Sequence, residues 1–187
     1  MRKEYKILLT TSLLVDFGAN LIGPFYAVFV ERIGGSILDM GYTVAVFAIS
    51  AGILTIIIGK ISDKINKELI TIVGYGFFAI GSLLYVFIAT AWQLFILQII
   101  FAIGTACLAA PLTALFAKYI QHKDEGLQWS LNSGGSSIIV GIAVIIGANI
   151  VNFWGFKVLF LCMFVVQVVA ILIQTQVYFT SRKINLK

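Results

Sequence analysis

The chain has 187 residues, of which 60% are hydrophobic and 11% charged, with a formal net charge of +5. A water-soluble domain carries about a quarter charged residues, so this composition excludes a soluble globular protein and describes a polytopic membrane protein. The basic excess lies in short segments between apolar runs with no basic face around them, which excludes a nucleic-acid footprint and leaves anionic lipid as an unspecific contact for the basic ends.

Six apolar runs occupy residues 7–30, 41–59, 69–89, 92–117, 127–151 and 156–179. Each is close to the ~20 residues that cross a ~30 Å hydrocarbon layer as a helix. Lipid offers the backbone no hydrogen bonds, so runs of this length satisfy their own as helices. Barrel strands would be about half as long and would alternate polar with apolar. The short loops predict one six-helix domain over residues 1–187. Its orientation follows from the basic residues. With the N-terminus inside, all 13 lysines and arginines except Arg32 and Lys157 are cytoplasmic, including Lys187. Both ends are then expected in the cytoplasm.

Met1-Arg2-Lys3 followed by an apolar run has the outline of a signal peptide, but the run is too long and no small-residue cleavage site follows it. It is read as the first span. Asp16 is the one acidic residue deep within a span, about 14 Å from its start and so near the midplane. A carboxylate there costs about 2.5–3.5 kcal/mol on insertion scales. It reads as a proton- or cation-coupling site or a substrate contact, with a structural aspartate hydrogen-bonded by Asn20 as the plainer alternative. Asn20 lies four residues on, on the same helical face. Gly23-Pro24 follows and predicts a kink. A polar face beside a kink suits the wall of a gated cavity; ordinary helix packing explains it too.

Asp39-Met40-Gly41 opens the second span and Asp124-Glu125-Gly126 the fifth, each with an acid at a helix start. In span four Gln98 shares a face with Ala102 and Thr105, and Pro111 marks a second kink. In span five Gln128 and Asn132 share a face with Gly135. Cys107 and Cys162 lie within spans and read as small apolar filler. They lack the partners of a metal site, and no cofactor is expected. The one histidine, His122, lies in a loop, which argues against an intramembrane Ser–His protease. No phosphate loop, zinc pattern or catalytic triad is present, so no enzyme is expected.

The charged turn Gly59-Lys60-Ile61-Ser62-Asp63-Lys64-Ile65-Asn66-Lys67, set between two long apolar runs, resembles the signature loop between the second and third helices of the major facilitator superfamily of secondary transporters. The usual pattern there is Gly-x-Leu-Ala-Asp-Arg/Lys-x-Gly-Arg/Lys. Gly59, Asp63, Lys64 and Lys67 match it. Asn66 replaces a glycine, and asparagine is the next-best residue for a left-handed turn position. Span five with its small residues, and the Phe153-Trp154-Gly155-Phe156-Lys157 turn with Phe160, look like the corresponding parts of that family. The two prolines sit at similar depths in spans one and four, which run in opposite directions, as an inverted three-plus-three repeat requires.

The resemblance implies an all-α integral membrane fold of six transmembrane helices, like the N-terminal half of a twelve-span transporter. It aims the polar residues Asp16, Asn20, Gln98, Gln128 and Asn132 at a central cavity. It assigns Asp63 a gating contact with the other half, with Gly59 allowing close helix approach and Lys64 and Lys67 serving the charge network. The antiporter-type Gly-Pro motif of span five and the arginine of span four are absent, which leads away from proton-coupled drug export. The expected function is secondary transport of a small neutral or cationic solute by alternating access in the plasma membrane. The expected partner is a second six-helix half, either a C-terminal half or a second copy. The competing reading is a non-transporting six-helix membrane protein, an assembly partner or transporter remnant. No selectivity-filter sequence supports a channel.

Overall fold

A computed structural model describes residues 1–185. Lys187, one of the basic residues assigned to the cytoplasm, lies outside the described residues. The fold is helical: α1 (Lys3–Asn20), α2 (Tyr26–Arg32), α3 (Ile37–Ser62), α4 (Lys67–Leu84), α5 (Ala91–Tyr119) and α6 (Glu125–Asn185). Short 3₁₀ turns lie at Gly23–Phe25, Tyr85–Phe87 and His122–Asp124. Among the described residues five stretches, where six spans are expected, are long and apolar enough to cross a membrane; the last, His122–Gln176, covers the fifth and sixth predicted spans in one helical stretch.

Local chemistry sets the ends of these helices. Ser36 caps α3: its hydroxyl accepts from the Asp39 N–H, and the Asp39 carboxylate accepts from the Ser36 N–H at 2.7 Å. This reciprocal box starts the helix several residues before the expected boundary. Asn66 caps α4 by accepting from the N–H groups of Glu68 and Leu69. Its backbone is extended, at φ −61° and ψ 115°, so the left-handed turn expected at Asn66 is not formed. The side-chain oxygen that makes asparagine a good helix cap decides the conformation instead.

The first predicted span is broken. Residues 21 and 22 bend, Pro24 sits in the 3₁₀ turn, and the helix resumes as α2. Proline in the first turn gives up an N–H that has no helical partner there. Pro111 behaves differently, for α5 runs through it without interruption. Buried among neighbouring helices, a proline can be carried without a break.

The stretch His122–Gln176 has 55 residues, about 82 Å as a straight helix. It is not straight. Gly155 has φ 81° and ψ 176°, a region essentially reserved for glycine. The limbs on either side, residues 125–154 and 156–185, pass α1 in opposite senses. Going up α1, Tyr5, Ser12 and Asp16 meet Gln128, Asn132 and Ser136 in rising order. On the other limb, Thr11 meets Gln174 and Val15 meets Gln167, in falling order. The chain therefore reverses at Gly155, and α1 is wedged between the two limbs.

Close backbone approaches hold this arrangement. A Cβ on Gly147 would overlap the carbonyl of Leu21, where α1 ends. Gly74 of α4 and Gly104 of α5 cross so tightly that a Cβ on either would come within 3.0 or 3.2 Å of the other's carbonyl oxygen. Without a hydrophobic drive between helices in lipid, such contacts supply much of the association. Aromatic packing closes one end, where Phe160 stacks on Tyr85 at 4.6 Å and meets Phe29 edge-on at 4.9 Å. Tyr5, Leu8, Leu115, Phe116 and Tyr119 close the other.

Candidate functional site

Between those two plugs the helices leave space lined by both apolar and polar side chains. A cavity of about 520 Å³ is walled by α1, α4, α5 and the first limb of α6. Asp16 faces it from α1, Tyr75 and Phe78 from α4, Thr105 and Phe116 from α5, and Trp129, Asn132 and Ser136 from α6. The Asp16 carboxylate accepts a 2.6 Å hydrogen bond from the Ser136 hydroxyl. Ser12, one turn before Asp16, donates its hydroxyl proton to the Leu9 carbonyl at 3.0 Å, and its oxygen lies 3.5 Å from Asn132 Oδ1. The wall is thus one carboxylate, several hydroxyls and an amide among aromatic rings and aliphatic side chains such as Val15, Leu108 and Leu112. Such a lining can hold a small molecule with a basic or hydrogen-bonding group and an apolar body.

Asn20 does not satisfy Asp16 through its side chain. Its Nδ2 donates to the Asp16 backbone carbonyl at 2.8 Å, and the carboxylate turns to Ser136. The i+4 spacing brings Asn20 close enough for a back-bond to the helix, and that bond uses the amide. Asn20 and Gln98 line a second cavity, of about 550 Å³, nearer the other end of the bundle. The two cavities share only Ala19 and Phe78.

Gln128 faces neither cavity. It is fully buried, with its Nε2 donating to the carbonyls of Gln121 and Asp124 and its backbone carbonyl accepting from the Tyr5 hydroxyl. It ties the loop before α6 to α1. Of the five polar residues read as lining one cavity, Asp16 and Asn132 share the first, Asn20 and Gln98 share the second, and Gln128 is in the packing between helices.

The charged turn lies beyond the first cavity. Asp63 ends α3 with its side chain 81% exposed and 3.9 Å from Lys67 Nζ. Lys67 also donates to the Ser62 carbonyl, and Lys64 is exposed. A Cβ at Gly59 would meet Ala110 at 3.8 Å, so Gly59 faces α5 at ordinary distance. The next residue was not singled out by the sequence reading. Glu68 is 5% exposed and accepts from Tyr119 Oη at 3.2 Å and Lys118 Nζ at 3.5 Å. It joins the start of α4 to the end of α5. Its partners are some 50 positions away, so no local pattern announces them. Ser136 was also missed, although it continues the Asn132 face by one helical turn.

A model of the Major Facilitator Superfamily matches residues 8–185. The chain belongs to this superfamily. Relatives include an uncharacterized MFS-type transporter of Methanocaldococcus jannaschii, 24% identical over 161 residues that make up 86% of this chain and 42% of the relative. The quinolone resistance protein NorA of Staphylococcus aureus is 26% identical over 82% of this chain and 38% of its own length. The chain thus spans less than half of each of these two. The uncharacterized MFS-type transporter YitZ of Bacillus subtilis is 21% identical over 77% of this chain and 88% of its own length. The superfamily is one of membrane transporters and not of enzymes, and its members are integral, multi-pass membrane proteins.

Proposed function

We propose that the chain is one half of a secondary transporter that moves a small neutral or cationic solute across the plasma membrane by alternating access. The observation that carries this reading is the solitary carboxylate of Asp16, set in the wall of a cavity and held by Ser136 on a different helix. A charge in that position would bind a cationic group or exchange a proton as the cavity changes sides. The reversal at Gly155 supports six crossings in a three-plus-three inverted arrangement, because ~82 Å of helix is too long for a single ~30 Å layer. The asymmetry of the basic residues supports cytoplasmic ends. The exposed Asp63 supports a gating contact with a second six-helix half.

The test is flux in proteoliposomes, with the chain alone and with a second half, using a panel of radiolabelled neutral and cationic solutes. Accumulation of at least one solute that falls at least tenfold in Asp16→Asn is the expected result. No flux under either condition would favour the non-transporting alternative.

A further inference from the structure

The second cavity carries a hydrogen-bonding pattern whose direction can be worked out proton by proton. Thr43 donates its hydroxyl proton to the Met40 carbonyl at 2.9 Å. With that proton engaged, tyrosine is the donor in the 2.7 Å contact between Tyr26 Oη and Thr43 Oγ1, the assignment that satisfies both contacts of Thr43. With its own proton engaged, Tyr26 Oη can only accept from its other neighbour, Gln98, at 3.0 Å. The amide end of Gln98 therefore points at Tyr26, and its carbonyl Oε1 points away. The same logic fixes Asn20: a backbone carbonyl can only accept, so the amide faces the Asp16 carbonyl and Oδ1 is turned out. Neither carbonyl oxygen has a hydrogen bond among the described residues.

Both side chains line the ~550 Å³ cavity, whose other walls include Phe47, Phe78 and Phe101. Gln98 is 8% exposed, and Tyr26 and Thr43 hold it in place. The site thus presents two oriented carbonyl acceptors among aromatic rings, and no carboxylate lines it. We infer that this cavity is a second, separate subsite for an uncharged aromatic molecule that offers a hydroxyl or N–H donor. The pattern selects for a donor because an acceptor-only ligand would leave two desolvated carbonyls unpaired. It disfavours anions because the ligand would face oxygen lone pairs. The first cavity, with its carboxylate, has the complementary preference for a cationic group. A solute crossing between them would pass Ala19 and Phe78, the residues common to both.

This inference builds on the transport reading for the direction of passage, but its test measures binding alone and can fail while transport stands. The full chain in lipid nanodiscs is dialysed against 2-naphthol, a neutral aromatic with one hydroxyl donor, or against 2-methoxynaphthalene, which lacks the donor; empty nanodiscs correct for partition. The expected result is saturable binding of 2-naphthol with one site, about three- to tenfold tighter than its methyl ether. Gln98→Leu should narrow the difference between the two probes, and Gln98→Leu combined with Asn20→Leu should remove it. Val44→Phe fills the second cavity from a partly exposed wall position without touching the polar chain, and should abolish binding of both. Ala109→Phe fills the first cavity and should leave 2-naphthol binding intact. The inference is overturned if no saturable binding occurs, if both probes bind the unaltered chain equally, or if Ala109→Phe removes binding and Val44→Phe does not.

Discussion

Ser136 and Asp16 form a 2.6 Å side-chain pair linking α1 to α6, and they separate two roles that the carboxylate could play. If Asp16 is a coupling group, Ser136→Ala removes a hydrogen bond and shifts the pH dependence of flux, while Asp16→Asn abolishes that dependence. If Asp16 only braces α1 against α6, both variants lower thermal stability and leave the pH profile alone. We expect the first outcome, measured as initial flux against pH in proteoliposomes. Gly147 gives a cleaner stability prediction. A methyl group there overlaps the Leu21 carbonyl, and backbone cannot yield as a side-chain tip does. Gly147→Ala should lower the melting temperature in detergent by more than Gly134→Ala, where a Cβ meets nothing within 4 Å. Gly155 has open space around it but a backbone only glycine adopts easily, so Gly155→Ala should cost about 1–3 kcal/mol through strain alone.

At the scale of helices, ends were less legible than middles. Apolar length announces a span, because lipid thickness dictates it, and the predicted spans fall mostly on helix, although the first is interrupted at residues 21–25 and the third runs past the last helical turn at Phe87. Caps lie in polar single residues whose geometry depends on the turn they close. Asn66 shows the difficulty: read beside a glycine-containing pattern it suggests a left-handed turn, yet its oxygen caps α4. Asn66→Ala should therefore destabilise the start of α4 by about 1 kcal/mol, whereas Asn66→Asp should be nearly neutral; amide hydrogen exchange at Glu68 and Leu69 reads this directly. The signature turn and Asp16 were legible because charge is rare in such a chain. The division of the polar residues between two cavities was not, because it depends on where α1 bends and on which limb of α6 each residue meets. Helical spacing gives a face, but not the neighbour of that face.

For the whole molecule, the charge asymmetry and the paired limbs of α6 lead to two measurements. A reporter active only outside the membrane should be silent when fused at either end of the chain and active when inserted at Gly34, in the turn between α2 and α3. Cysteine at Asp63 should crosslink to a second six-helix half, since its side chain is exposed and its own turn occupies only Lys67. Crosslinking to neither a second copy nor a co-expressed half would remove the gating role. The wedge position of α1 also has a consequence for how the protein is made. Its polar partners Gln128, Asn132, Ser136, Gln167 and Gln174 stand 120 or more positions later in the chain. At a synthesis rate of ~5–20 residues per second, the first helix waits on the order of ten seconds for them. During that interval Asp16 has no Ser136 to bind, so the nascent α1 is a natural client for the insertion machinery and quality-control proteases until both limbs of α6 have been made.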